Sequence, residues 1–191
     1  MQEDRKAKVV VVSGPSGVGK STICRAVVQR MDDVELNVSV TTRPKANGEV
    51  DGKDYWFVSR DEFQRRINDG LLLEHAEVFG NLYGTPRDNV EESLEKGVTV
   101  LLEIDVQGGR QVKAVDPDAV MIFILPPSEK HLEQRMNHRG RDDAETAERR
   151  LGEASSEIAA AWRFYEHMVI NDDLETAIKE VINIIETCRR S

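Results

Sequence analysis

The chain has 191 residues, and its 26 lysines and arginines against 35 aspartates and glutamates give a formal net charge of −9. Hydrophobic residues make up 39% of the sequence, which excludes a disordered chain, and the negative charge excludes nonspecific nucleic-acid binding. No apolar run approaches the roughly 20 residues that a membrane-spanning helix needs. We therefore expect a soluble, cytoplasmic protein without nucleic-acid or membrane partners, acting as a monomer or small homo-oligomer.

The predicted secondary structure alternates between strands and helices. Four consecutive valines at residues 9–12 have the pattern of a buried parallel strand, and similar apolar runs predict strands over 98–105, 120–125 and 167–170. The segments between them predict helices over residues 21–31, 61–69, 87–96, 107–115, 128–138, 143–167 and 174–188. The alternation indicates an α/β fold, in which a parallel sheet is flanked by helices.

Two segments interrupt this alternation. Residues 35–85 are rich in glycine, aspartate and aromatic residues, and they predict a small inserted subdomain with its own sheet. Residues 130–150 are almost wholly polar, which favours a mobile lid. The core is then expected to comprise residues 8–34, 86–129 and 151–186, with short tails at 1–7 and 187–191.

The segment that follows the first strand carries a phosphate-binding motif. It matches the pattern G-x-x-x-x-G-K-[ST] between a strand and a helix, where backbone N–H groups and the helix dipole face the phosphates. The Lys20 ammonium is expected to reach the β- and γ-phosphates, and the Ser21 hydroxyl to ligate Mg²⁺. The motif therefore predicts a P-loop NTPase-type sheet and an ATP-binding set of Gly14, Pro15, Ser16, Gly17, Val18, Gly19, Lys20, Ser21 and Thr22.

Five further segments narrow the family. They read SVTTR at 39–43, GEVDGKDY at 48–55, LEHAEVFGNLYGT at 73–85, EIDVQG at 103–108 and VINDD at 169–173. Together with the phosphate loop they make the chain resemble the guanylate kinase family, from about Lys8 to about Glu186. The resemblance implies a kinase that transfers a phosphoryl group from ATP to GMP, and to dGMP, with Mg²⁺. It also implies that the inserted subdomain binds GMP and that the polar segment closes over ATP.

The resemblance assigns the acceptor site by position. Arg43, Tyr55 and Tyr83 lie where the family binds the phosphate of GMP, a role that suits a bidentate guanidinium and two phenol donors. The residues expected to recognise guanine are Glu74, Thr85 and Asp105, with Ser39 in the same pocket. Guanine offers N1–H and N2–H₂ to carboxylates, whereas adenine lacks that donor edge and would leave them unpaired. Without the resemblance, both tyrosines are equally well explained as core residues, and Glu74 as a surface carboxylate.

The resemblance also assigns residues around ATP. Arg135, Arg139 and Arg150 align with lid arginines that face the ATP phosphates, and Asn171 matches a position near the ATP base. With Lys20 and Arg43, these arginines are the expected catalytic residues, because they neutralise charge in the transition state. Glu103 is expected to hold Mg²⁺ through water.

The sequence departs from the family pattern at two positions. The family usually has a second phosphate-binding arginine three residues after the first, and this chain has Ala46 there. The neighbouring Lys45 offers a point charge but no bidentate contact. The family also more often has Asp at the position of Glu103.

Two other functions compatible with the same fold stay open at this stage. One is a non-catalytic guanylate-kinase-like module that binds protein partners, although such modules typically have a degraded phosphate loop. The other is a kinase that acts on another phosphorylated acceptor, such as a ribose bisphosphate. The set Glu74, Thr85 and Asp105 argues against this second alternative, which would not need to recognise guanine.

Overall fold

The structure is a computed structural model that describes residues 6–128, residue 131 and residues 144–190, with backbone only at 144–151 and 153. Its strands are β1 (Val9–Ser13), β2 (Val34–Leu36), β3 (Val40–Thr41), β4 (Trp56–Phe57), β5 (Leu72–Val78), β6 (Asn81–Pro86), β7 (Thr99–Glu103), β8 (Val120–Leu125) and β9 (His167–Ile170). Its helices are α1 (Lys20–Arg30), α2 (Arg60–Asn68), α3 (Arg87–Glu95), α4 (Val106–Val115), α5 (Ala144–Ala161) and α6 (Leu174–Cys188).

The larger sheet has five parallel strands in the order β2-β7-β1-β8-β9. Its central strand β1 is buried on both faces, as four successive β-branched residues predict. Val10 and Val12 pack in a cluster with residues of α1 and α6, whereas Val9 and Val11 pack on the opposite face with residues of α4. The predicted α/β fold with a parallel sheet between helices is therefore confirmed.

The smaller sheet has four strands in the order β4-β3-β6-β5, and only its β3–β4 pair is parallel. It has a hydrophobic cluster of its own, formed by Val40, Phe63 of α2 and Leu72. This sheet spans residues 40–86, one residue beyond the segment 35–85 for which the sequence predicts an inserted unit with its own sheet. Strand β5 also packs against helix α4 of the larger unit, so the two units meet along this contact.

Two sequence predictions about element boundaries are wrong. The helix predicted over 143–167 ends at Ala161, because residues 162–164 form a turn in which the Phe164 N–H donates to the Ala161 carbonyl, three residues back, at 3.0 Å. The turn directs the Tyr165 ring into the core, where it is 7% exposed. The strand predicted over 98–105 ends at Glu103, because Asp105 caps helix α4 by accepting the Gly108 N–H at 2.9 Å.

One short strand is missing from the sequence prediction, and one predicted helix falls mostly outside the described residues. The short edge strand β2 pairs with β7 but is not predicted from the sequence. Most of the helix predicted over 128–138 lies outside the described residues. Among the helices of the described part of the chain, none is long and apolar enough to cross a membrane.

Candidate active site

A cavity of about 790 Å³ lies at the carboxyl ends of β1 and β7. Residues of the phosphate loop, the smaller sheet and helix α5 form its walls. This is the edge of a parallel sheet where α/β proteins bind ligands. The cavity brings together nine of the predicted site residues, namely Gly14, Ser16, Lys20, Ser39, Tyr55, Glu74, Tyr83, Glu103 and Asp105.

The phosphate loop has the backbone conformation that its glycines permit. Gly19 has φ 105° and precedes helix α1, whose N-terminus has no side-chain cap. The Asn171 amide donates to the Val18 carbonyl at 2.7 Å, and a Cβ on Gly19 would lie 2.5 Å from that amide nitrogen. The Lys20 ammonium donates to the carbonyls of Gly14 and Pro15 at 2.6 and 3.1 Å. Asn171 is thus buried against the phosphate loop, and the Lys20 side chain folds back onto the loop.

The oxygen atoms of Ser21 and Glu103 meet beside the loop. The Ser21 hydroxyl donates to Glu103 Oε1 at 2.6 Å, and the parallel register places Glu103 opposite Val12 of β1. A hydroxyl and a carboxylate are ligands that Mg²⁺ accepts, and this ion usually keeps several waters and binds substrate phosphates as well. Within residues 6–128, 131 and 144–190, no three histidines, cysteines or acidic residues cluster as a metal cage. The pair therefore fits Mg²⁺ that arrives with a nucleotide.

Glu74 is the most perturbed carboxylate in the cavity. Its side chain is 3% exposed, and the Thr85 hydroxyl donates to its Oε1 at 2.7 Å. The pKa of Glu74 is raised from 4.5 to about 7: burial is the largest cause, hydrogen bonds from Thr85 oppose it, and the nearby charge of Asp105 adds to it. The hydrogen bonds from Thr85 do not outweigh the cost of burial, so this carboxylate suits a ligand that brings further N–H donors.

Arg43 lies next to the two predicted tyrosines. Its guanidinium is 5.3 Å from the centre of the Tyr55 ring, and the Tyr55 and Tyr83 rings meet edge to face at 5.9 Å. Burial raises the pKa of Tyr55, and the charge of Glu103 adds to that shift. The Tyr55 phenol therefore stays protonated at neutral pH and able to donate a hydrogen bond.

Glu49 is a site residue that the sequence analysis does not identify. Its two carboxylate oxygens accept both Arg43 Nη atoms, at 3.1 and 2.6 Å, and Glu49 Oε2 also accepts the Ala46 N–H at 2.7 Å. This bidentate geometry is the one that a phosphate would offer to Arg43. The segment GEVDGKDY contains Glu49, but no sequence pattern shows that the chain turns back onto Arg43 there.

The chain is similar to known proteins over nearly its whole length. The family profile described as guanylate kinase matches residues 6–188. A guanylate kinase of Clostridium perfringens is 46% identical over 99% of this chain and 88% of its own length. A guanylate kinase of Symbiobacterium thermophilum is 48% identical over 97% of this chain and 87% of its own length.

The chain belongs to the guanylate kinase family. The crystal structure of guanylate kinase from Anaplasma phagocytophilum superimposes with a TM-score of 0.79 at 36% identity, covering 99% of this chain and 92% of that one. The predicted family, enzyme class and fold are therefore confirmed.

The predicted lid residues of this guanylate kinase-family chain are less fully described. Arg135 and Arg139 lie outside the described residues, and Arg150 lies on helix α5 where only the backbone is described. Thr22 is exposed on α1 and does not line the cavity. The part of α5 that does line it comprises Gly152, Ala154, Ser156 and Glu157.

Strand β5 contributes cavity residues beyond Glu74. Ala76, Glu77, Val78 and Phe79 all line the cavity, as does Gln107 of α4. Strand alternation from Glu74 could have identified Ala76 and Val78, because residues two apart face the same side. Nothing in the sequence pattern identifies Glu77 or Phe79.

The burial of Glu74 predicts a pH-dependent effect of Glu74→Gln on stability. Because the folded pKa lies above the unfolded one, the folded state binds more protons between pH 4.5 and 7, and the stability due to Glu74 is lost as pH rises through that range. We expect Glu74→Gln to raise the free energy of unfolding at pH 8 by about 3 kcal/mol more than at pH 4.5. Urea titrations at the two pH values measure this difference, and an effect of equal size at both would contradict a buried, strained carboxylate.

Proposed function

We propose that this chain transfers the γ-phosphoryl group of ATP to GMP, giving ADP and GDP, and that dGMP is a second acceptor. One observation supports this function best. A single cavity is lined by the phosphate loop with Lys20 and by the buried Glu74 beside Asp105. A donor phosphate and a base with N–H donors would therefore share one enclosure.

The donor side uses the phosphate loop and the Ser21–Glu103 pair. Backbone N–H groups of residues 14–21 would hold the β- and γ-phosphates, and Lys20 would leave the carbonyls of Gly14 and Pro15 to reach the γ-phosphate. Ser21 and Glu103 would hold Mg²⁺, Glu103 through water. When bound, this ion neutralises charge on the transferred phosphoryl group. Asn171 keeps the loop in place through Val18.

The acceptor phosphate would bind at Arg43, Tyr55 and Tyr83. Arg43 presents its bidentate edge to Glu49, so GMP has to share or displace that carboxylate. With Ala46 supplying only its backbone N–H, Arg43 is the single arginine of this acceptor site in our proposal. The exchange of the Glu49 carboxylate for the GMP phosphate keeps the guanidinium paired with an anion in both states.

The guanine base would be recognised by Glu74, Asp105 and Thr85, with Ser39 on the same wall. The ionised Glu74 accepts the N1–H and N2–H₂ donors, which satisfies a carboxylate that the fold buries at an energetic cost. AMP has no such donor edge, so its binding would leave Glu74 unpaired. The discrimination rests on this difference rather than on pocket size.

The reaction needs no general base, because an oxygen of the GMP phosphate is already anionic. Catalysis is then positioning together with charge neutralisation by Lys20, Arg43 and the lid arginines Arg135, Arg139 and Arg150. The proposal includes the division of the chain into a core, a GMP-binding subdomain and a lid. Closure would exclude water, which otherwise accepts the phosphoryl group. A cytoplasmic location and a monomer or small homo-oligomer also remain predictions.

A comparison of acceptors tests the proposed function directly. With ATP as donor, a coupled assay measures ADP formation with GMP, dGMP, AMP, UMP and ribose bisphosphate. We expect GMP and dGMP to exceed AMP in kcat/KM by at least about 100-fold, because AMP would leave the buried Glu74 carboxylate unpaired. Equal values for AMP and GMP would contradict the assignment of guanine, and the absence of turnover with any acceptor would favour a binding module.

The role of Lys20 predicts a second outcome. We expect Lys20→Ala to lower kcat by about 1000-fold or more, because the ammonium stabilises charge on the transferred phosphoryl group. Lys96→Ala is the matched control, since Lys96 pairs with Glu92 on exposed helix α3. Wild-type turnover in Lys20→Ala would overturn the mechanism.

A further inference from the structure

Two adjacent glycines, Gly108 and Gly109, lie buried in the second and third positions after the first residue of helix α4. Neither has a positive φ, so their backbone conformation is one that any residue adopts. Glycine lowers helix stability relative to alanine. The reason for two glycines here must therefore be space.

The space next to Gly108 is occupied by Glu74. A Cβ on Gly108 would overlap Glu74 Oε2 and would lie 2.9 Å from Glu74 Cδ and 3.3 Å from Asp105 Oδ1. Glu74 Oε1 also accepts the Thr85 hydroxyl, so a Cβ on Gly108 would displace a carboxylate that is hydrogen-bonded in its present place beside the cavity. The bare backbone of Gly108 is what lets the carboxylate reach its place in the cavity.

The space next to Gly109 is occupied by Tyr165. A Cβ there would overlap the Tyr165 hydroxyl and would lie 3.2 Å from Met121 Cε. That hydroxyl donates to Ser13 Oγ at 2.7 Å, and Ser13 Oγ donates to the Ile104 carbonyl at 2.7 Å. Ser13 directly precedes the phosphate loop, and Ile104 lies between Glu103 and Asp105. Gly109 is thus linked, through Tyr165 and Ser13, to the phosphate loop on the donor side of the cavity.

We propose that this glycine pair sets the two halves of the active site separately. Gly108 is a specificity-determining residue for the acceptor base, because it admits the Glu74 carboxylate. Gly109 is a positioning residue for the phosphate loop, because it admits the Tyr165 hydroxyl that braces Ser13. The inference rests on the proposed function, since it assigns Glu74 to the GMP base and the loop to ATP.

The same substitution at the two neighbours should give opposite kinetic signatures. Gly108→Ala pushes Glu74 out of position, so we expect the KM for GMP to rise about tenfold or more and the GMP-to-AMP selectivity to fall, with the KM for ATP unchanged. Gly109→Ala displaces Tyr165, so we expect a higher KM for ATP and a lower kcat, each by about tenfold, with the GMP-to-AMP selectivity retained.

The experiment measures both KM values, kcat and the GMP-to-AMP selectivity for the wild type and the two variants. Each variant is the matched control for the other, because both gain the same methyl group on the same helix. A purely structural role predicts one shared signature, and that result would overturn the proposal. Wild type that fails to phosphorylate GMP would instead refute the proposed function.

A second-site variant separates the Glu74 contact from a general defect in folding. Glu74→Asp shortens the side chain by one methylene, which makes room for the added methyl group. We expect Glu74→Asp to weaken GMP turnover in the wild type and to improve it in Gly108→Ala. If Gly108→Ala fails to fold and the double variant Gly108→Ala with Glu74→Asp folds again, that result also supports the contact between Gly108 and Glu74. A defect that Glu74→Asp leaves unchanged or worsens would overturn the assignment of Gly108.

Discussion

The parallel pairing of β1 with β7 is the interaction on which the site depends. Its register sets Val12 opposite Glu103, so the phosphate loop that follows β1 opens beside the carboxylates that end β7. The Ser21 hydroxyl and the Glu103 carboxylate then meet although 82 residues separate them in the chain. Because both strands are buried in a sheet covered on two faces, this edge is the part of the large unit where polar groups can gather without losing hydration.

The burial of Glu74 in the cavity wall lowers the stability of the fold. Glu74 comes from the smaller sheet, lies next to α4, and has a raised pKa because burial removes water from its charge. Buried ionisable groups of this kind lower stability and concentrate at functional sites. Helix α4 is also less stable than it could be, because it has Gly108 and Gly109 where the backbone would accept a better helix former. Both features follow if Glu74 has to meet a ligand that donates hydrogen bonds.

Much of the fold and part of the site can be predicted from the sequence. Apolar runs predict β1, β7 and β8, because buried parallel strands need apolar side chains on both faces. The phosphate loop is local, so its spacing alone indicates its role. By contrast, Glu49 and Tyr165 act through turns that bring distant segments together, and no periodicity records such contacts. The end of α5 at Ala161 is missed because the aromatic residues that follow continue a helical pattern until the Tyr165 ring turns inward.

In the proposed function, the buried Glu74 carboxylate must be ionised to bind guanine. Isothermal titration calorimetry of GMP binding at pH 7, in buffers of different ionisation enthalpy, counts the protons released. With a free pKa of about 7, we predict that the wild type releases about half a proton more than Glu74→Gln. The titration of the GMP phosphate is common to both proteins and cancels in the comparison. Equal proton release by the two proteins would contradict the claim.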